Sequence, residues 1–465
     1  MHYLINIIKN SDILETVSFF SSEIVLFFAF LFNLILFLIF KRNPKAKRLS
    51  DFVTSLVFVF NFILCSIMYF NNFNNEQFTV TFLDDFLYQN VDVLFTKTVI
   101  NLFMLLFLFS TYRLVRSISY KATLINAYLC LIALSSSIII QVNNILLTFF
   151  FLDLNIFLIF KYGSSFKFNT FKFFQSDYLF ANIVSTILFY SVAFALMFND
   201  SDNQITILNF CLLMAYMLKI GIFPSVNFFN LKSHKNNLPY SILLYSLVLY
   251  TGIAGFVKIF NSSVLSGDIF LAAVVCFLVL CAFNVLLYAR KTKNLLKFLS
   301  CSCQYFAIFV ILEFLVSLDE ESAIRLASLY LFASLAVYTL LCIFKINSRS
   351  TKMSLNNFRA IFLKNRTYAF LFSLSLLLLF SVVPSGLFLN FINGMKNIYS
   401  CDRFGYILFV IFAFISVLMI LKVFDIILNC YNFEKNAVVD TFTKKTTLNY
   451  VAFWISVILL FILIL

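Results

Sequence analysis

The sequence predicts an all-α polytopic membrane protein of about fourteen transmembrane helices, on three observations. Of 465 residues, 62% are hydrophobic and only 12% are charged, with a mean hydropathy of +0.97. Apolar runs of about 18 to 25 residues, enough to cross a hydrocarbon core, recur from one end to the other. The charges that remain alternate in sign from loop to loop, as the positive-inside rule requires of a correctly counted set of spans. A water-soluble catalytic domain is excluded.

In chain order, the first span (16–40) runs into Lys41, Arg42, Lys45, Lys47 and Arg48, and the second (52–70) into Glu76, Asp84, Asp85 and Asp92. The third (93–112) meets Arg113, Arg116 and Lys121; the fourth (122–142) turns tightly at Asn143-Asn144 into the fifth (144–160), which ends at Lys161, Lys167 and Lys172. The sixth (178–198) precedes Asp200 and Asp202, the seventh (205–229) Lys232 and Lys235, and the eighth (239–260) the loop that closes at Asp268. The ninth (268–289) meets Arg290, Lys291, Lys293 and Lys297; the tenth (298–318) meets Asp319, Glu320 and Glu321. The eleventh (323–344) is followed by Lys345, Arg349, Lys352, Arg359, Lys364 and Arg366. The twelfth (367–393) returns to the acidic side, the thirteenth (404–430) meets Lys435, Lys444 and Lys445, and the fourteenth (447–465) ends the chain. Both termini therefore fall on the acidic side, and the basic loops face cytoplasm or matrix. The first fifteen residues read as an interfacial segment without a cleavable signal.

Composition narrows the chemistry. Phe 66 against Gly 8, Pro 4 and Trp 1 is the skew of an AT-biased coding sequence and points to an organelle genome. The ten cysteines contain no CxxC, and even the closest pair, Cys301 and Cys303, reads as small buried apolar residues. His2 and His234 have no clustered carboxylates or thiols to complete a metal site. There is no GxGxxG and no P-loop, so nucleotide binding is not expected. The net charge of +13 sits in the loops, which argues against nucleic acid as a partner.

Charges inside the spans are the candidate functional groups. Lys219 stands in Leu218-Lys219-Ile220-Gly221-Ile222-Phe223-Pro224. A lysine near mid-membrane costs about 2.5–3.5 kcal/mol on insertion scales, so it reads as an ion-pathway group. Pro224 removes a backbone donor and opens the helix beside it. Pro384, in Val382-Val383-Pro384-Ser385-Gly386, interrupts the twelfth span in the same way. If spans four to eight and nine to thirteen are two inverted five-helix repeats, both breaks fall in the fourth helix of a unit, where secondary transporters place their sites. Asp153, central in the fifth span, is either a titrating group or the partner of a cation, and pairing with Lys219 would couple the two. Glu23 either faces headgroups or pairs with a neighbour. Glu313 lies within one or two turns of the acidic loop, positioned to reach water. Lys422 and Asp425, spaced i, i+3, neutralise each other on one helix face, and Lys258 snorkels at the end of the eighth span.

Five stretches resemble the antiporter-like membrane subunits of respiratory complex I. LLTFFFLDLNIFLIF resembles the fifth-helix pattern LELxSL, with Asp153 in place of the glutamate. MLKIGIFPSVNFF resembles the broken seventh helix, FKxxxxPFHxW, and matches it at Lys219 and Pro224. KNLLKFLSCS, YLFASLAVYTLLCIF and the segment from Ser354 through Pro384 to Phe391 follow in the family's order. The family's lysines in the eighth and twelfth helices are replaced here by Leu249 or Tyr250 and by Asn390, and Lys258 is not an obvious substitute. With no long lateral helix after the last span, the subunit 2 branch is expected rather than its paralogues.

The resemblance implies an N-terminal set of helices (1–121), a first antiporter-like repeat (122–260), a second (261–430) and a C-terminal helix (431–465). It implies a core subunit of proton-translocating NADH:ubiquinone oxidoreductase in the mitochondrial inner membrane, termini toward the intermembrane space and basic loops in the matrix. The implied relay is Asp153 and Lys219, with Tyr250, Lys258, Glu313 and Asn390 as further stations. NADH, FMN, iron–sulfur clusters and ubiquinone would sit on other subunits. The implied partners are antiporter-like paralogues, small membrane subunits, accessory subunits and phospholipid. A non-pumping structural subunit and a standalone cation/proton antiporter are the alternatives.

Overall fold

The computed structural model describes residues 19–40, 43–73, 79–82, 87–118, 122–165, 175–196, 202–222, 238–260, 268–347, 365–400, 405–431 and 447–462. Among them, ten helices are long and apolar enough to cross a membrane and four shorter apolar helices accompany them. Each of the fourteen predicted spans is met by a helix, and we number the helices accordingly. They are α1 (Ser21–Ile39), α2 (Pro44–Asn72), α3 (Val91–Ile118), α4 (Ala122–Gln141), α5 (Ile145–Ser164), α6 (Gln175–Leu196) and α7 (Asp202–Ile220). Next comes α8, which runs as Leu238–Ile242, a π-helical turn over Leu243–Val248, and Leu249–Ile259. There follow α9 (Asp268–Lys291), α10 (Leu295–Ser317), α11 (Glu320–Asn347), α12a (Arg366–Leu379), α12b (Gly386–Tyr399), α13 (Gly405–Tyr431) and α14 (Thr447–Ile462). The interfacial segment expected over residues 1–15, and Pro224, lie outside the described residues.

The helix starts follow from local chemistry. Asn43 accepts from the Lys45 N–H, with Pro44 at the first helical position of α2. Asn144 of the predicted tight turn accepts from the Leu146 and Leu147 N–H groups to begin α5. Asn294, Asn365 and Ser385 cap α10, α12a and α12b in the same way. One element was not expected: the acidic loop before α3 forms an antiparallel hairpin, β1 (Val80–Phe82) with β2 (Leu87–Gln89), in the register Val80↔Gln89, Thr81↔Tyr88, Phe82↔Leu87. Leu87 also bridges to Val142 at the end of α4.

The two helix breaks share one construction. In α7, Gly221 is left-handed at φ 92°, its N–H donates to Leu218 O at 3.2 Å, and the Ile222 N–H donates to Met217 O at 2.9 Å. In α12a, Ser381 is left-handed at φ 55°, its N–H donates to Leu378 O at 3.1 Å, and the Val382 N–H donates to Leu377 O at 2.9 Å. Both are Schellman caps, and each is followed three residues later by proline. Glycine fits this conformation without cost, whereas serine is strained there. Ser381→Gly is therefore expected to stabilise the protein by up to about 1 kcal/mol, read as a higher melting temperature; Gly221→Val is expected to lower it.

The chain divides into two compact units, Met1–Leu105 with Ser119–Ser165, and Leu106–Ile118 with Phe166–Leu465. In the first, buried amides tie α1, α2 and α4 together. Asn33 Nδ2 donates to Thr54 Oγ1 (3.0 Å), Ser50 Oγ to Asn33 Oδ1 (2.6 Å), and Asn126 Nδ2 to Ser50 Oγ (2.9 Å) and Asp51 Oδ1 (2.8 Å). Asn155 Nδ2 of α5 donates to Ser135 and Ser136 of α4 at 3.0 and 2.7 Å.

The second unit is organised around α11, buried along its whole apolar window, whereas only 28% of that of α13 is buried. Lipid is as apolar as leucine, so hydrophobicity alone does not choose which helix goes to the centre; small residues and hydroxyls do. From α11, Thr339 meets Ser110 (2.8 Å), Ser334 meets Ser246 (2.8 Å), Ser328 meets the Tyr250 hydroxyl (3.1 Å) and Tyr330 meets Ser302 (3.3 Å). Tyr368 Oη of α12a donates to Leu340 O at 2.8 Å, and Asn449 Nδ2 of α14 donates to Ser110 O. α13 instead turns Ile407, Phe414, Leu421 and Leu428 outward.

Candidate functional site

Lys219 occupies the last turn of α7, where the helix stops inside its apolar span. It is 1% exposed. The carbonyl end of a helix favours a cation, and α6 completes its surroundings: Nζ donates to Thr186 Oγ1 at 2.7 Å and to Asn182 O at 3.3 Å. Thr186 itself donates to Asn182 O at 2.8 Å. The break beyond it is held from α10, whose Gln304 Nε2 donates to Gly221 O at 2.8 Å, while the Gln304 Oε1 is buried without a donor among the described residues. A buried cation, an opened backbone and an amide with acceptor capacity thus lie at one depth.

The floor of this site is α8. Gly252 carries no side chain because Ile220, the neighbour of Lys219, lies against it: a Cβ there would overlap Ile220 Cγ2 and come within 3.1 Å of Ile220 Cβ. Tyr216 Oη donates to Gly252 O at 3.2 Å. Gly252→Ala is expected to cost about 1–3 kcal/mol by overpacking, read in thermal unfolding. Ile220→Ala in the same chain should recover most of it, since the two side chains compete for one space.

The described hydrogen bonds take the other predicted residues to different helices. Tyr250 is buried and its hydroxyl meets Ser328 of α11 at 3.1 Å. Lys258 is half-buried in the last turn of α8. Asn390, half-buried, folds its Nδ2 back onto Gly386 O at 2.9 Å in α12b. Glu313 does not reach water as its sequence position suggested: it is 1% exposed, and its Oε1 accepts from Ser322 Oγ (2.9 Å) and Asn397 Nδ2 (3.1 Å) because α11 and α12b close over the end of α10. A cavity of about 20 Å³ beside the α12 break, lined mainly by apolar surface with Ser302, Tyr330, Ser381 and Ser416 among its residues, has room for a single water.

Asp153 is half-buried on α5 and belongs to the first unit, whereas Lys219 belongs to the second. The Lys422–Asp425 pair is present, Nζ to Oδ2 2.9 Å. Sequence reading missed two buried lysines. Lys345, counted with the basic loop, is fully buried because α11 continues to Asn347. Lys97, two turns into α3, forms an ion pair with Glu23 at 3.0 Å, and this settles Glu23 in favour of a partner rather than headgroups. A lone lysine inside the third apolar window was the available signal.

The fold is shared with chains of two solved complexes. No family model and no curated relative matches the sequence. Among solved structures, a chain of respiratory complex I from Thermus thermophilus is similar over 95% of this chain and 96% of that one, with a TM-score of 0.74 and 12% identity. A chain of the Mrp complex from Dietzia sp. is similar over 91% of this chain and 81% of that one, also at 0.74, with 13% identity. Identities this low speak for the fold alone.

Proposed function

We propose that the chain is a core membrane-arm subunit of proton-translocating NADH:ubiquinone oxidoreductase, of the subunit 2 kind, in the mitochondrial inner membrane. The observation that carries the reading is Lys219, a buried ammonium at the interrupted end of α7, held by acceptors from a neighbouring helix. Such a group keeps its proton while Thr186 and Asn182 accept from it and releases the proton when those bonds open. We assign Asp153 as the acidic group that tunes it, following the sequence resemblance, and Tyr250, Glu313, Asn390 and Lys258 as stations beyond. NADH, FMN, iron–sulfur clusters and ubiquinone belong to partner subunits. Paralogous and small membrane subunits, accessory subunits and phospholipid cover the outward-facing apolar helices.

The test is the composition of the particle that carries this chain when membranes are dissolved in mild detergent. Co-migration with NADH:quinone activity is the expected result. A monodisperse chain that exchanges cations for protons alone would overturn it in favour of the antiporter reading, which the equally good fit to the Mrp chain supports. The uncharged Tyr250 and Asn390 favour a non-pumping subunit of the same complex as the remaining alternative.

A further inference from the structure

The outward side of α13 carries two features that the Lys219 reading does not use, and both lie within the second unit. The first is a groove of about 430 Å³ between α9 and α13, walled by apolar side chains that include Ala272, Cys276 and Leu280 on one side and Ile407 and Ile411 on the other. Cys276, Leu280 and Ile407 are exposed along it. The second is the Lys422–Asp425 pair, Nζ to Oδ2 2.9 Å, in which the lysine side chain is 17% exposed and the aspartate 56%. Asn429 Nδ2 donates to Asp425 O at 2.7 Å and to Asp425 Oδ1 at 3.3 Å. Among the described residues the carboxylate has no other donor.

Helix geometry puts both features on one seam. Ile407, Ile411, Leu418, Lys422, Asp425 and Asn429 are spaced by three, four or seven residues, and each is exposed or half-buried. They therefore follow a single face of α13 for about 33 Å, the thickness of a hydrocarbon core. The depth of the pair follows from Ser416, whose Oγ lies 2.6 Å from Tyr305 Oη near the middle of α10. At 1.5 Å per residue, Lys422 and Asp425 stand about 9 and about 14 Å beyond that level, inside a core whose half-thickness is about 15 Å. Their apolar neighbours Leu421, Phe424 and Leu428 are exposed. A charge at such a depth is costly and is rarely turned toward lipid.

In a membrane this seam does not stay bare. An open groove forfeits dispersion contacts on both walls, and an acyl chain or a side chain would restore them equally well. Asp425 decides between the two. The exposed member of the pair is the anion, an acyl chain has no hydrogen to donate, and the phosphate of a lipid headgroup repels a carboxylate. The complement is therefore a donor held at fixed depth by another polypeptide. We propose that the α9–α13 seam is the docking site for one transmembrane helix of a partner subunit. That helix lays apolar side chains into the groove near the start of α9 and α13, and near the end of α13 it donates to Asp425 from a hydroxyl, an amide or a cationic group. Its path along α13 accounts for the burial of only 28% of that helix's apolar window within this chain.

Photochemical cross-linking in the complete particle tests this, with a diazirine-bearing residue in place of Leu418 or, separately, of Ile411. The expected result is one and the same transmembrane segment captured from both positions, carrying a hydrogen-bond-donating side chain about two turns from its contact with Leu418. The double variant Lys422→Leu, Asp425→Leu removes both charges together, so neither is left alone. It is expected to lower the yield from Leu418 about tenfold, the worth of one good hydrogen bond between helices, without lowering the melting temperature. Capture of phospholipid alone, of a second copy of this chain, or of different segments at the two positions would overturn the proposal, as would a yield indifferent to the double variant. Should the double variant fail to assemble, a captured segment with no donor at the level of Asp425 would overturn it equally.

Discussion

Lys219→Met is expected to slow proton transfer through this chain by roughly a hundredfold, the lower end of what a positioned proton-transfer group contributes. The readout is the proton-to-electron ratio of vesicles that carry the particle and oxidise NADH. Structure supplies the control on folding. Thr186 Oγ1 already donates to Asn182 O, so removal of the ammonium strands no buried donor, and methionine fills an apolar span without an insertion penalty. The variant should therefore assemble normally. Lys219→Arg sharpens the result, because guanidinium keeps the positive charge but does not give up its proton in a protein. A structural cation would be rescued by arginine, and a proton carrier would not. An unchanged ratio in Lys219→Met would establish the non-pumping reading.

The largest stability effect is expected at Glu23 and Lys97. Removal of one partner of a buried ion pair leaves the other charge uncompensated, at a cost of about 3–5 kcal/mol. Lys97→Met should therefore lower the melting temperature sharply. The double variant Glu23→Gln, Lys97→Met should recover most of the loss, because the desolvation cost of both charges disappears with them. Measured near neutral pH, a double variant no more stable than Lys97→Met alone would show that the two charges do not compensate each other.

Much of this was legible in the sequence, for particular reasons. Span positions follow from length and apolarity, because a bilayer tolerates only helices whose backbone bonds are internal. The breaks at Gly221 and Ser381 were foreshadowed by Pro224 and Pro384. Asn144, in the tight turn already marked in the sequence, starts α5 by a local hydrogen bond that needs no distant partner. Lys219 stood out because nothing else in its window is charged. Lys97 and Glu23 did not stand out as a pair, since 74 residues separate them in sequence. Glu313 was misread for a related reason: nearness to an acidic loop says nothing about whether Asn397, from a helix far along the chain, will cover it.

By itself, then, the sequence determined the membrane class, the positions of the spans and the places where two of them must stop, because each depends on composition or on neighbours within a turn. Only the tertiary structure decided that α11 is central while the more apolar α13 faces outward, that Glu23 meets Lys97, and that Lys219 is held by α6. In a solvent as apolar as the chain, hydrophobicity does not rank the helices against one another. Their arrangement is set by matching hydroxyls, amides and charges that are distant in sequence, and such matches exist only once the helices have packed.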